Sequence, residues 1–162
     1  MRQKNTKTKK HKDIVVILPN IRSAYNVGSI FRTSDGAGVK KIYITGYTPT
    51  PDKDLKKISK TSLGAEQSVS WEYHSQTWRL IDKLKKQGYQ IIALEKTKTS
   101  IDYRKFKSKF PVALILGHEV DGISQNLLKK ADKIVHLPMA GIKDSLNVAS
   151  AFAICAYYLQ YN

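Results

Sequence analysis

Leu137-Pro138-Met139-Ala140-Gly141-Ile142-Lys143-Asp144-Ser145-Leu146-Asn147-Val148 is the stretch on which the fold of this chain turns. It follows a short β-branched run, residues 133–137, and leads into an apolar one, so it joins a strand to a helix. Pro138 and Gly141 constrain the loop between them. The helix is expected from about Ser145 to Tyr158, with Val148, Phe152, Ala156 and Leu159 on one face. A serine at its start reads first as an N-cap. Asn147 would fall in the first turn, where asparagine is a mediocre helix former without an evident structural task. The functional reading is that Ser145 and Asn147 both project into a site beyond the strand end.

Outward from this stretch, strand-like and helix-like segments alternate. Residues 14–18, 41–45, 69–73, 89–94, 112–116 and 133–137 are short, apolar and often β-branched, as strands buried on both faces should be. Residues 27–38 and 75–87 have helical spacing. In the second of these Ser75 is a plausible cap, Trp78, Ile81 and Leu84 form a stripe, and Gly88 is a stop. A shorter helix is expected over residues 125–131. Thr48-Pro49-Thr50-Pro51-Asp52 reads as a turn-rich loop. The pattern predicts an α/β domain with a mostly parallel sheet covered by helices on both faces. Ligands of such sheets lie beyond the carboxyl ends of the strands. Two more clusters occupy such places.

One is Asn20-Ile21-Arg22-Ser23-Ala24-Tyr25-Asn26-Val27-Gly28-Ser29-Ile30-Phe31-Arg32-Thr33. Asn26 can cap the following helix, and Val27, Ile30 and Phe31 should face the core. Gly28 and Arg32, four residues apart, share a neighbouring stripe. Gly28 would leave the surroundings of Arg32 open to a large partner; alternatively Arg32 pairs with Asp35 on the surface. The other is Leu114-Ile115-Leu116-Gly117-His118-Glu119-Val120-Asp121-Gly122-Ile123, a strand ending in a loop with two glycines that permit close backbone approach. Glu119 could hold a neighbouring loop by accepting amide hydrogen bonds, or be a solvated turn residue. His118 and Asp121 read as loop residues rather than as acid or base. There is no G-x-G-x-x-G fingerprint and no phosphate-binding G-K-[ST] loop.

Composition narrows the class. The 162 residues suffice for one compact domain. Lys and Arg number 28 against 13 acids, a formal charge of +15. That excess points to a polyanion, with nucleic acid the first candidate. Residues 1–12 hold six cations and no acid and read as a flexible basic arm. The remaining residues, 13–162, still carry 22 bases against 13 acids, a net +9, and form the single folded domain. The lone Cys155 cannot form an intramolecular disulfide and sits in an apolar run, as a core residue would. The four histidines show no metal-ligand spacing, so no metal is expected. The apolar run after the basic start is too short for a signal peptide or a membrane span. A cytoplasmic protein is expected.

Taken together, the motifs resemble the SpoU, or TrmH-like, branch of the SPOUT RNA methyltransferases. The resemblance rests on Asn26-x-Gly28-x-x-x-Arg32-Thr33, on Leu116-Gly117-x-Glu119-x-x-Gly122, and on Leu137-Pro138-Met139-x-Gly141-x-x-x-Ser145-Leu146-Asn147-Val148. It spans residues 14 to 159. It implies a parallel sheet with a deep C-terminal trefoil knot, a homodimer, and S-adenosyl-L-methionine as cofactor, bent within the knotted loops. Cofactor contacts are implied at Leu94, Glu95, Gly117, Ile134, Leu137, Met139, Ser145 and Leu146. Arg32 matches the family's catalytic arginine, helped by Glu119, Ser145 and Asn147, with Asn26 shaping the loop. The implied reaction is methyl transfer to a ribose 2′-hydroxyl of structured RNA, with transfer RNA favoured over ribosomal RNA because the domain is minimal.

The donor methyl of a sulfonium is already activated, so alignment of the two reactants is the main task. A guanidinium with a pKa above about 12 is a poor base. Arg32 is therefore expected to hold ribose or phosphate and to stabilise developing oxyanion charge, although a transiently neutral arginine is the family's alternative. The competing readings are a non-catalytic RNA-binding or ribosome-assembly factor on the same scaffold, and a small-nucleotide enzyme of doubly wound type.

Overall fold

The computed structural model describes residues 11–162. Seven strands form one sheet: β1 (Ile14–Pro19), β2 (Lys41–Thr45), β3 (Trp71–His74), β4 (Gln90–Leu94), β5 (Ile101–Asp102), β6 (Val112–Ile115) and β7 (Lys133–His136). Their order is β3-β2-β1-β6-β4-β7-β5, and every pairing is parallel. The expected sheet is thus present and wholly parallel. Among the described residues five helices lie between the strands, α1 (Ala24–Ala37), α2 (Pro51–Ser62), α3 (Ala65–Ser68), α4 (Thr77–Lys86) and α5 (Gln125–Leu128), and α6 (Val148–Tyr161) follows the last.

The continuous apolar strands follow from burial on both faces. In β1, Ile14, Val16 and Leu18 join a core with Val27, Ile30 and Phe31 of α1 and Phe152, Ala156 and Leu159 of α6. Val15 and Ile17 point the other way, into a second core with Leu80, Ile81 and Leu84 of α4 and Leu128 of α5. The period of two along a strand makes this division unavoidable. Cys155 belongs to the first core, where burial pushes its thiol up to about 12, so it stays protonated and inert.

Several expectations need correction. Helix α1 is capped by Ser23, whose side chain accepts from the Asn26 amide, so Asn26 lies inside the helix and not at its cap. The 48–52 loop is shorter than expected, because Pro51 opens α2, with its missing N–H at a position that has no helical partner. This helix hid in the sequence because only Ile58 among its large apolar residues is buried, while Leu55 is 48% exposed. Gly28 does not open space around Arg32. A Cβ there would collide with Thr61 Oγ1 and the Ile58 carbonyl, so glycine is required for α1 to lie against α2. Helix α4 begins after Gln76, not Ser75, and Trp78 is 45% exposed, flanked by the Arg79 and Lys130 cations, while Leu80 takes the buried place. Helix α5 is shorter than residues 125–131. Strand β5 is too short to signal itself. At the other end, Lys12 donates from its amide to Gln160 and from Nζ to the Leu159 carbonyl, a cation against the C-terminal end of α6. The rest of the basic arm, residues 1–10, lies outside the described residues.

Candidate active site

The carboxyl ends of β4, β6 and β7 open into a cleft of about 720 Å³, within the range of small-molecule sites. Its walls come from residues 94–97 and 116–123, from His136, Leu137, Met139 and residues 144–147 of the loop after β7, and from Gln125 and Leu128 of α5 and Val148 and Ala151 of α6. The loop of residues 116–123 is folded on itself. His118 and Gly122 exchange backbone hydrogen bonds at 3.1 and 3.0 Å, and a Cβ on Gly117 would press on Gly122 at 3.0 Å. Gly122 has φ +67°, and a Cβ on it would strike the Glu95 carboxylate. That carboxylate accepts from the amides of Ile123 (2.9 Å) and Lys96 (3.0 Å), so Glu95 ties the loop after β4 to the loop after β6. Both glycines are thus set by close approach, and the sheet end presents main chain to the cleft.

One chain of hydrogen bonds joins the three sequence clusters. Glu119 accepts from the amides of Arg22 (2.9 Å) and Ser23 (3.0 Å), the exposed N–H groups at the start of α1. A carboxylate at that position also meets the positive end of the helix dipole. Burial raises the Glu119 carboxyl, but the hydrogen bonds from Arg22, Asn26 and Ser23 outweigh it, leaving a net shift below the ordinary carboxylate range. Asn26 Nδ2 donates to Glu119 (3.0 Å), and Asn26 Oδ1 accepts from Asn147 Nδ2 (3.1 Å). Asn147 Oδ1 in turn accepts from the amides of Ala149 and Ser150 and caps α6. Asn147, expected in the first turn without a structural task, is therefore the N-cap. Ser145, expected to cap, lies in the exposed loop before it, and among the described residues its side chain bonds only the neighbouring Asp144.

The expected site residues separate into groups. Glu119, Ser145 and Asn147 line the cleft, as do Leu94, Glu95, Gly117, Leu137, Met139 and Leu146. Asn26 stands just behind the rim, bonded to two lining residues. Ile134 does not line it; its side chain packs into the second core beside β4. Arg32 is exposed on α1 and outside the lining, six residues and about 9 Å along the helix from Asn26. It forms no ion pair among the described residues, and Asp35 is engaged by Ser68 instead. Sequence reasoning missed Thr97 and His136, which face the same cleft and are linked through Ser100, whose Oγ lies 2.9 Å from His136 Nδ1. No motif marks them; the pairing of β7 with both β4 and β5 brings them together.

A wholly parallel α/β sheet with a glycine-built cleft at its carboxyl ends defines a class of small-molecule-binding domains. The comparisons with known proteins give the particular family. The SpoU rRNA Methylase family matches residues 13–157, and the chain belongs to it. It is 31% identical to a tRNA (guanosine(18)-2′-O)-methyltransferase of Aquifex aeolicus over 152 residues, 94% of this chain and 71% of the relative. The corresponding enzyme of Escherichia coli is 29% identical, over 91% of this chain and 63% of its own length. An AdoMet-bound rRNA methyltransferase from Sinorhizobium meliloti superposes with a TM-score of 0.84 at 28% identity, over 93% of this chain and 56% of that one. The chain thus spans between about half and three quarters of these relatives.

Proposed function

We propose that this chain is an RNA methyltransferase that uses S-adenosyl-L-methionine to methylate a ribose 2′-hydroxyl. The observation that carries the reading is the Glu119–Asn26–Asn147 chain of hydrogen bonds, which fixes three distant segments around one cleft. The cleft suits the cofactor: apolar Leu94, Leu116, Leu128 and Leu137 can take an adenine, and glycine-lined main chain can meet its edge. Gly117, Leu137, Met139 and Leu146 would hold the cofactor, which supplies an activated methyl group on sulfur. Names of relatives add support, since the Aquifex and Escherichia proteins are tRNA 2′-O-methyltransferases. We therefore favour transfer RNA as substrate.

The side chains have distinct tasks in this reading. Glu119 and Asn26 set the position of the loops and do not carry protons. Ser145, open to solvent at the rim, is placed to hydrogen-bond the reacting ribose. Arg32, outside the cleft and without an ion-pair partner among the described residues, acts by gripping ribose or phosphate of the RNA, not as a base beside the cofactor. The RNA-binding factor is disfavoured because the Aquifex and Escherichia relatives are tRNA 2′-O-methyltransferases. The small-nucleotide enzyme is disfavoured by the absent phosphate fingerprint and the +15 charge.

The same reading includes a homodimer, a C-terminal trefoil knot in the family's manner and a cytoplasmic location. Helix α6 supports the dimer. It carries no charged residue, and beyond its buried face it exposes Ile154 (41%), Tyr157 (45%) and Tyr161 (56%). A helix apolar around its circumference is ordinarily covered on more than one side. Among the described residues no helix is long and apolar enough to cross a membrane, and no three potential metal ligands cluster. The deciding experiment is transfer of labelled methyl to total RNA from a strain lacking this protein, followed by nucleoside mapping. Incorporation into a 2′-O-methylnucleoside is expected; wild-type protein that transfers no methyl and binds neither S-adenosylmethionine nor its demethylated product in calorimetry would sink the reading.

A further inference from the structure

The cleft lies over β4, β6 and β7. Toward β1 and β2 the sheet end presents a different surface, built around Tyr47. The backbone there is held at several points. Asn20 adopts φ +55° and Gly46 φ +64°, and Asn20 Oδ1 accepts the Tyr47 amide at 3.1 Å. Tyr73 donates its hydroxyl to the Gly46 carbonyl at 3.0 Å. Thr48 Oγ1 donates toward the Leu18 and Thr45 carbonyls and accepts from Ile21. All of this fixes the main chain, yet the Tyr47 ring is left 64% exposed. Its one aromatic neighbour is His118, edge-on with ring centres 6.4 Å apart, and His118 lines the cleft.

His118 is itself oriented. Its Nδ1 accepts from the amides of Val120 (3.1 Å) and Asp121 (3.0 Å). The Asp121 carboxylate also comes within 3.4 Å of Nδ1, but it is 83% exposed and the two shorter amide contacts decide the tautomer. With Nδ1 accepting, Nε2 is the nitrogen left to donate, and no acceptor for it occurs among the described residues. Arg22 is exposed, with its amide held by Glu119, the residue next to His118. An exposed aromatic face on a held backbone, with a free N–H donor beside it and a cation next along the chain of contacts, matches the chemistry of an unpaired nucleobase.

We propose that Tyr47 is the stacking platform for an unpaired base of the RNA, with His118 Nε2–H donating to that nucleotide. The inference rests on the proposed RNA substrate and adds where the strand lies: from the cleft across the ends of β1 and β2. Tyr47 and His118 are positioning residues in this scheme and take no part in methyl transfer itself.

The test compares binding of a short oligouridylate and of an abasic ribose-phosphate oligomer of equal length at fixed salt, in full-length protein. Wild type should prefer the base-containing oligomer by about tenfold, the scale of one stacked base. Tyr47→Ala should lose that preference and raise KM for total transfer RNA by a similar factor. Its salt slope, its affinity for the demethylated cofactor and its melting temperature should stay at wild-type values. Tyr47→Phe, which keeps the ring, should retain the preference. A Tyr47→Ala protein that still discriminates between the two oligomers, from an active wild type, overturns the inference alone. A wild type that binds neither oligomer nor transfer RNA overturns both the inference and the reading beneath it.

Discussion

Two loops face each other across the cleft, and they are built on opposite plans. The loop of residues 117–123 is fastened by its own backbone bridge, by Glu95 and by the Glu119 bonds to α1. The loop of residues 140–147 is exposed throughout, with Ile142 at 102% and Leu146 at 42%, and among the described residues its side chains are tied to the rest of the fold at Asn147, which caps α6 and bonds Asn26. One wall is therefore formed before any ligand arrives. The other leaves apolar side chains in water, Leu146 within the lining and Ile142 outside it, area whose burial would be favourable. Preorganisation and adaptability are thus divided between the two walls, and each can be disturbed separately.

The largest effect is expected from Glu119→Ala, which removes the acceptor for three donors and releases the fastened loop from α1. Affinity for the demethylated cofactor in calorimetry should fall by about tenfold or more, with methyl transfer falling further. The stability cost in urea titration should be about 1–2 kcal/mol, modest because the carboxylate is open to water. Unaltered cofactor affinity would show that the fastened loop is not the preformed wall. Gly122→Ala comes next. It sets a side chain at φ +67° against the Glu95 carboxylate, so about 1–3 kcal/mol should be lost, seen as a lower melting temperature and weaker cofactor binding.

The difference between the walls also explains what could be read beforehand. The strands and both cores follow from side-chain alternation, which a one-dimensional pattern contains. The clusters around Asn26, Glu119 and Asn147 were visible because each combines glycine with polar residues at a strand end. Their division of labour was not visible. Asn147 as a cap and Asn26 as a bridge depend on α1 and α6 arriving side by side, a long-range fact. Gly28 illustrates the same limit: its neighbour is α2, whose single fully buried large side chain, Ile58, left too weak a period to announce a helix. Ile134 was drawn in by its place in a matching stretch, but strand alternation turns it into the second core. Arg32 was found by its motif, while its distance from the cleft follows from the pitch of α1 and the length of helix between it and Asn26.

A smaller effect should follow from acid. The Glu119 carboxyl lies below its ordinary range in the folded protein. Its contribution is therefore fully present above the unfolded value, about 4.3, and is lost as pH falls through the lower folded value. Cofactor affinity should hold from neutral pH down to the unfolded value of about 4.3 and drop only below it, as the carboxyl of the folded protein takes up its proton, and Glu119→Gln should flatten this dependence. An acid drop that persists unchanged in Glu119→Gln would assign it to other carboxylates.

The smallest effect on stability, and the sharpest contrast with Glu119, is expected from Ile142→Ser. A side chain that is wholly exposed contributes nothing to the core of the isolated chain, so urea stability should change by less than about 0.5 kcal/mol. If a ligand or second chain covers the open wall, the substitution will act only when that partner is present. It should then weaken self-association in sedimentation, or raise KM for RNA, while the isolated fold melts as before. A measurable loss of stability under conditions where the protein is monomeric and ligand-free would mean that Ile142 is already buried, and that the two walls are built alike.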